Sequence, residues 1–174
     1  VQVRRALREA VAISGAPSVI RFSKGNPPAP IKAVRVTGQV DILRDPDPDG
    51  NGVDVLVVGL GAMASVALTA AAKLEAQGFA VRVVDPRWAL PVSAGLVDLA
   101  RDARAVAVIE DNLVIGGVGS QIAQALRDGG LDVPVHLYGI PKAFLGHGSR
   151  GEVLEEAGLT PEAVADRLSE ALRA

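Results

Sequence analysis

From residue 53 onward, nearly continuous apolar runs of strand length alternate with segments whose apolar positions recur at helical spacing. The strand-like runs lie at 53–59, 80–85, 105–110 and 133–139. Helices are predicted at about 63–77, 93–103 and 119–128, with two more at the end of the chain. Runs without polar alternation are typical of strands buried on both faces. Strands that alternate with helices predict a parallel sheet covered by helices on both sides.

Several predicted helices carry recognisable end signals. Ser93 and Ser149 precede helical segments and can accept a hydrogen bond from the first turn, as N-cap residues do. Thr160 is followed by Pro161, which combines an N-cap with proline at the first helical position. Gly78 lies where the helix after the first of these strands should end. These residues fix where the predicted helices begin and end.

The stretch before residue 53 has a different character. It predicts a short helix at about 4–13 and a strand at 18–22. Residues 26–52 read as a connector because they are dense in proline, glycine and aspartate. Within that connector, residues 33–43 could pair as one or two short strands. The chain therefore divides into a leading segment, a linker and a domain of alternating strands and helices.

The connector contains the acidic sequence DPDPDG at 45–50, which mimics a calcium-binding loop. An EF-hand needs a bidentate glutamate at its twelfth position. Counting from Asp45, that position is Leu56, which lies in a predicted strand. We therefore expect a solvated acidic turn and no metal site.

Composition excludes several classes of function. The 174 residues are 49% hydrophobic and 22% charged, as in one globular domain, or one domain with a remnant of another. The net charge of −2 gives no support to a nucleic-acid or membrane-surface partner, and no apolar run is long enough to span a membrane. Cysteine is absent, which excludes disulfides and thiolate chemistry. Only His136 and His147 are histidines, too few for a multi-histidine metal site.

Two glycine-rich turns are candidates for binding. The sequence GLGAMA at 59–64 follows a strand, opens a helix and has Asp85 at the end of the next strand, which resembles a dinucleotide fingerprint. The alternative is an ordinary strand-to-helix turn that favours glycine. The turn GGVGS at 116–120 follows Glu110. It could hold an anion on free helix amides, or its glycines could allow another backbone to approach closely.

Two further motifs contain polar residues with known chemistry. Ser149 does not lie in the GxSxG context of a nucleophile, so we expect it to cap a helix and His147 to make local or intersubunit hydrogen bonds. The segment RFSKG at 21–25 ends the first predicted strand with two cations and a glycine. It is either a solvated strand end or a phosphate-binding element, in which Lys24 is the candidate.

Taken together, these segments resemble the C-terminal part of the 1-deoxy-D-xylulose-5-phosphate synthase family, thiamine-diphosphate enzymes of the transketolase superfamily. The residues that carry the resemblance are PSVIRFSKG at 17–25, VDPRWALP at 84–91, IEDN at 109–112 with GGVGS at 116–120, and GIPKAFL at 139–145 with HGSR at 147–150. The elements DxRxxxP and ExNxxxGGxG occur across transketolase-like C-terminal domains. The stretch from GIP to HGSR is more specific to the synthases.

The resemblance implies a three-layer α/β/α domain with a mostly parallel five-stranded sheet, in which one strand is antiparallel. It also implies a domain division: residues 1–25 are the tail of a preceding pyrimidine-binding domain, 26–52 a linker, and 53–174 the transketolase C-terminal-like domain. The first residues are neither a signal peptide nor an initiator methionine. We therefore expect the chain to begin within a longer protein.

The resemblance implies an enzyme that condenses pyruvate with D-glyceraldehyde 3-phosphate and releases CO2, for isoprenoid, thiamine and pyridoxal synthesis. It implies a cytoplasmic homodimer that uses thiamine diphosphate and Mg²⁺. Both bind through domains outside this chain, so we expect no catalytic, cofactor-binding or metal-binding residue here and no activity of the chain alone. Lys24 matches the second basic residue of the family's R-[YF]-P-[RK]-G element, which implies a contact to the substrate phosphate. Ser23 replaces the usual proline of that element.

Two other interpretations stay open at the level of sequence. One is a free-standing nucleotide-binding module built on the turn at 59–64. The other is the C-terminal domain of a 2-oxoacid dehydrogenase β subunit, since those chains share the more general motifs.

Overall fold

The fold is a three-layer sandwich built on one mixed sheet. A computed structural model describes residues 2–22, 29–47 and 52–174. The helices are α1 Gln2–Ala12, α2 Ala64–Glu75, α3 Ala94–Ala100, α4 Val118–Asp128, α5 Arg150–Glu156 and α6 Pro161–Arg173. The strands are β1 Arg35–Thr37, β2 Val40–Arg44, β3 Val53–Gly59, β4 Val81–Pro86, β5 Ala103–Leu113 and β6 Val135–Ile140. A single 3-10 turn, Gly61–Met63, leads into α2.

The strand order is β1-β2-β4-β3-β5-β6. Strands β4, β3, β5 and β6 run parallel, as the alternating pattern predicts. Strand β2 is antiparallel to β4, and β1 is antiparallel to β2. The described sheet therefore has six strands where five were expected, because the stretch expected to be a linker supplies β1 and β2. The predicted pairing of residues 33–43 is confirmed.

The predicted strand at 18–22 is wrong, because these residues have no regular secondary structure and belong to no sheet. A strand is stabilised by hydrogen bonds to a neighbouring strand. No strand in the described part of this chain pairs with the segment, although its β-branched composition favours an extended backbone.

Alternate residues of β3 face two separate hydrophobic layers, as expected for a strand buried on both sides. Val55 and Val57 pack with α2 and α6 in one layer. Leu56 and Val58 pack with α3 and α4 in the other. All of these strand residues are fully buried, and burying each valine or leucine contributes about 1.5–3 kcal/mol. The sheet is therefore covered by a hydrophobic layer on each face, and these two layers hold the strands in place.

One buried arginine side chain binds the segment before β3 and so attaches that segment to the sheet. Arg82 of β4 is 2% exposed. Its Nε donates to Asp45 Oδ1 at 2.8 Å, and its Nη2 donates to the backbone oxygen of Asp47 at 3.0 Å. Arg35 also donates to Asp45. The expectation of a solvated acidic turn is therefore wrong at Asp45, whose side chain is 5% exposed. A guanidinium can be buried only if acceptors are buried with it, and Asp45 is such an acceptor for Arg82. Asp49 lies outside the described residues.

Candidate functional site

The carboxyl ends of the parallel strands form the edge at which α/β proteins of this kind bind ligands. Strand β5 changes register at this edge: Ile109 pairs with Tyr138, but Leu113 pairs with Ile140. Two extra residues of β5 therefore lie between these pairs and form a bulge. Glu110 faces α4 and Asp111 faces the opposite side, as adjacent residues of a strand do, so these two acidic residues have different partners.

Glu110 is 3% exposed and caps helix α4 from inside the chain. Its two carboxylate oxygens accept from the backbone N–H groups of Val118 and Gly119, both at 2.9 Å. A carboxylate at a helix N-terminus satisfies N–H groups that have no helical partner and interacts favourably with the helix dipole. These amides are therefore occupied by a residue of the same chain, and the turn at 116–120 does not offer them to an external anion.

The glycines of this turn are explained by the same carboxylate. A Cβ on Gly117 would lie 2.2 Å from the backbone oxygen of Leu113 and 2.6 Å from each Glu110 oxygen. A Cβ on Gly119 would lie 2.9 Å from Leu137. The groups that closely approach these glycines all belong to the same chain. The second interpretation of this turn, close approach by a separate backbone, is therefore not needed to explain them.

The turn at 59–64 also has a local explanation. A Cβ on Gly59 would lie 2.7 Å from the Cβ of Ala67, so glycine is needed where α2 packs closely against β3. The N–H of Gly61 donates to Asp85 Oδ1 at 3.1 Å. Asp85 is 5% exposed and lies at the end of β4. The geometry thus gives Gly59 a role in packing and gives Gly61 and Asp85 a role in stabilising the turn, as in an ordinary strand-to-helix connection.

Asp111 joins two elements that are far apart in sequence. Arg21, which follows α1, donates from Nη1 to Asp111 Oδ1 and from Nη2 to the Asp111 backbone oxygen, both at 3.2 Å. Arg150, the first residue of α5, donates from Nη2 to Asp111 Oδ2 at 2.6 Å. These three residues border an open pocket of about 470 Å³ whose other walls are apolar. Its remaining lining residues are Phe22, Ile140, Leu145, Val153 and Leu154.

The loop between β6 and α5 ends in a capping box. Ser149 Oγ accepts from the backbone N–H of Glu152, and Glu152 Oε2 accepts from the backbone N–H of Ser149. Hydrogen bonding to Ser149, first from its backbone N–H and then from its side chain, holds the pKa of the Glu152 carboxyl below its usual value. The prediction that Ser149 caps a helix is confirmed, and so are the predicted caps at Ser93 and Thr160. His147 is exposed beside this capping box.

Helix α1 docks on the sheet through charged residues. Arg5 pairs with the buried Asp41, and Glu9 accepts from both Arg87 Nη1 at 2.9 Å and Trp88 Nε1 at 3.0 Å. Arg87, which follows β4, is therefore paired with Glu9 of α1. The apolar face of α1, which includes Val3, Leu7 and Val11, is left exposed. Sequence reasoning did not find Glu9, although an acidic residue inside a helix rich in arginine was a signal.

Lys24, the candidate for phosphate binding, lies outside the described residues. Across residues 2–22, 29–47 and 52–174, no group of three histidine, aspartate or glutamate side chains could hold a metal ion. None of the helices in these ranges is both long and apolar enough to cross a membrane. The carboxylates at the sheet edge instead bind arginines or backbone amides, so the geometry described here is that of docking and capping.

Comparison with known proteins gives a consistent result. The family model of the transketolase C-terminal domain matches residues 47–164. A protein named 1-deoxy-D-xylulose-5-phosphate synthase 2 from Kitasatospora griseola is 52% identical over 169 residues, which cover 96% of this chain and 27% of that protein. The 1-deoxy-D-xylulose-5-phosphate synthase of Streptomyces griseus is 51% identical over 97% of this chain and 26% of its own length. The chain thus spans about a quarter of the length of these relatives.

Solved structures share the fold. A split-gene transketolase, described as an inactive β4 tetramer, superposes with a TM-score of 0.68 at 35% identity, over 80% of this chain and 44% of that one. A transketolase variant from Pichia stipitis superposes with a TM-score of 0.57 at 19% identity, over 78% of this chain and 18% of its own. At that lower identity the likeness is evidence for the fold alone.

Proposed function

The chain belongs to the transketolase C-terminal domain family, and from that membership we propose that it is the C-terminal region of a 1-deoxy-D-xylulose-5-phosphate synthase. The observation that carries this proposal is identity of 51–52% to two such synthases over 96–97% of the chain. The aligned region extends beyond the matched family domain, into the segment before residue 47 where the RFSKG element lies.

The proposed enzyme condenses pyruvate with D-glyceraldehyde 3-phosphate, releases CO2 and supplies a precursor of isoprenoids, thiamine and pyridoxal. It acts as a cytoplasmic homodimer. Thiamine diphosphate supplies the carbanion chemistry when it is bound with Mg²⁺. We assign both to the other domains, because the family resemblance places their binding motifs there; the sheet-edge carboxylates Glu110 and Asp111 of this chain bind backbone amides and arginines instead.

We propose the same division of the chain that the resemblance implies. Residues 1–25 form the tail of the preceding pyrimidine-binding domain, 26–52 a linker that also adds β1 and β2 to the sheet, and 53–174 the rest of the C-terminal domain. The docking of α1 through charges, with its apolar face exposed, supports this division. An exposed apolar helix face is typical of a helix that packs on another part of its own protein. In this proposal the region contributes to dimerisation and to the substrate-phosphate side, and it is inactive alone.

Lys24 is the residue that we propose for the substrate phosphate. A phosphate must be held by cations or amides, and a lysine provides a compact positive charge without the bidentate geometry of arginine. In the full-length enzyme, Lys24→Ala should raise the Michaelis constant for D-glyceraldehyde 3-phosphate by roughly tenfold or more, if the charge-assisted bond contributes about 1.5–3 kcal/mol. The constant for pyruvate should change little because pyruvate has no phosphate. An equal rise in the Michaelis constants for both substrates would contradict the assignment of Lys24 to the substrate phosphate.

The experiment that tests the function compares the 174-residue chain with the full-length protein that carries it. Each is incubated with both substrates, thiamine diphosphate and Mg²⁺, and 1-deoxy-D-xylulose 5-phosphate is measured. We expect product from the full-length protein and none from the chain. Calorimetry should show no saturable binding of thiamine diphosphate to the chain at micromolar concentration. Saturable binding, or product formation by the chain, would contradict the assignment of the cofactor site to other domains.

A further inference from the structure

The leading segment, residues 2–22, meets the sheet with a face of α1 that is poor in large apolar side chains. The side turned to the sheet consists of two charged residues and two alanines, which are Arg5, Ala6, Glu9 and Ala10. The larger apolar residues Val3, Leu7 and Val11 recur at every fourth position and are exposed on the other side. Among the described residues, no side chain of α1 belongs to either hydrophobic layer of the core. Apolar burial therefore contributes little to the docking of this segment.

Charged groups make this contact instead, and their signs match. The surface that receives the segment, here called the charged docking surface, is formed by Asp41 of β2, Arg87 and Trp88 after β4, and Asp111 of β5. Three ion pairs join the segment to it, which are Arg5–Asp41 at 2.5 Å, Glu9–Arg87 at 2.9 Å and Arg21–Asp111 at 3.2 Å. The sign of the charge alternates along the segment, and each charge meets its opposite on the sheet. Such complementarity sets the register in which two surfaces bind.

We propose that the charged docking surface is a salt-sensitive binding surface, from which residues 2–22 separate while the sheet stays folded. The segment's own side chain in each of the three pairs is 32–70% exposed. Ion pairs with exposed partners are weak, and salt screens them, since the Debye length falls from about 10 Å at 0.1 M to about 3 Å at 1 M ionic strength. The sheet is held by its two hydrophobic layers, whose stability depends on apolar burial and not on charge.

The same surface has a consequence for the full-length protein, which rests on the function proposed above. There the leading segment belongs to the preceding domain, so the charged docking surface is where the C-terminal domain attaches to that domain. Polar interfaces between domains of one chain are typical of domains that move relative to each other. Rising ionic strength therefore loosens this attachment, while the apolar face of α1 keeps the helix with the preceding domain.

The chain contains its own reporter of docking. Trp88 is its only tryptophan, and Trp88 Nε1 donates to Glu9 Oε2 at 3.0 Å. When sodium chloride is raised from about 0.05 to 1 M, Trp88 emission should shift to the red as the side chain meets water. Hydrogen exchange of the α1 amides should become at least about tenfold faster, because a helix of 11 residues is marginally stable without packing. Exchange in β3 and β5 should change less than about twofold.

Variants of the chain separate ionic from apolar docking. Glu9→Gln should lower the salt concentration at the midpoint of release about two- to fivefold. Glu75→Gln is the matched control and should leave the midpoint unchanged, because Glu75 is as exposed as Glu9, 33% against 32%, but pairs with Arg44 inside the domain. Leu7→Ser, on the exposed face, should also leave it unchanged. Glu9→Lys should release α1 at low salt, and Arg87→Glu added to it should restore the protection of the α1 amides.

Three results would overturn the proposal. These are α1 amides that stay protected up to about 1 M salt, release of α1 only together with unfolding of the sheet, and a midpoint that Glu9→Gln and Glu75→Gln lower equally. A midpoint lowered by Leu7→Ser would show apolar docking and would overturn it too. All of these are measured on the chain without catalysis. If the full-length protein forms no 1-deoxy-D-xylulose 5-phosphate, the proposed function fails, and salt-dependent release of the leading segment stands or falls by its own measurements.

Discussion

Asp45→Ala should destabilise the domain strongly, because Asp45 is the carboxylate that neutralises a buried arginine. The side chains of Asp45 and Arg82 are 5% and 2% exposed, and their N–O distance is 2.8 Å. Removal of one partner from a buried ion pair costs about 3–5 kcal/mol, because the other charge stays buried. Since Arg82 keeps its bond to the Asp47 backbone oxygen, we expect the lower end, about 3 kcal/mol.

The free energy of unfolding of the chain is measured by urea denaturation, with circular dichroism as the signal, and the melting temperature is measured by the same signal on heating. A loss of about 3 kcal/mol corresponds to a fall in melting temperature of about 6–12 °C for a chain of this size. Arg82→Met in the Asp45→Ala background should recover most of the loss, because it removes the unpaired charge and fills a similar volume. Asp98→Ala is the control, since the Asp98 side chain is 69% exposed and its pair with Arg101 should contribute less than about 1 kcal/mol.

The pH dependence has a definite sign. Burial raises the pKa of Asp45, but the hydrogen bonds and charges of Arg35 and Arg82 lower it more, so the pKa lies below its usual value of 3.8. A carboxylate with a lowered pKa stabilises the folded state above its unfolded pKa and loses that contribution as pH falls through its folded pKa. The difference in free energy of unfolding between the parent chain and Asp45→Asn should therefore be constant from pH 5 to 7 and shrink only below about pH 4. This reasoning would be refuted if Asp45→Ala lowered the free energy of unfolding by less than about 1 kcal/mol at pH 7, or if adding Arg82→Met did not restore stability.

The remaining predictions concern two turns. Gly117→Ala should lower stability by roughly 1–3 kcal/mol even in the isolated chain, because its Cβ would overlap the Leu113 oxygen and the Glu110 carboxylate; a melting temperature equal to that of the parent would contradict this. Glu110→Gln should cost about 1–3 kcal/mol, since one accepting oxygen becomes an NH2 group, which only donates and leaves one helix N–H without its acceptor. Ser149→Ala should cost about 1 kcal/mol through loss of the α5 cap, and Ser149→Thr should restore it.

The parallel part of the sheet and the helix starts could be predicted because each depends on neighbouring residues. The apolar run at 53–59 is β3, and serine or threonine before a helical pattern capped the helix at 93, 149 and 160. The strand at 18–22 could not be judged in this way, because an extended segment becomes a strand only when a partner lies beside it.

The partners of buried charges were also beyond sequence reasoning. Arg82 is one arginine in the apolar strand β4, and that position was a signal of a buried charge. Its carboxylate lies 37 residues earlier, in a turn whose composition is typical of a solvated loop. Strand alternation places Glu110 and Asp111 on opposite faces of β5, but the groups that meet them there come from α4, from α5 and from the segment after α1, and no local pattern encodes that packing. Long-range pairing therefore decides which polar residues meet at the sheet edge.

The central claim is that this chain is the C-terminal region of a 1-deoxy-D-xylulose-5-phosphate synthase. The most direct test is product formation by the full-length protein that carries it, with pyruvate, D-glyceraldehyde 3-phosphate, thiamine diphosphate and Mg²⁺. We predict CO2 release and 1-deoxy-D-xylulose 5-phosphate in equal amounts, with both abolished when thiamine diphosphate is omitted. A folded, cofactor-loaded protein that forms no such product from these substrates would contradict the claim.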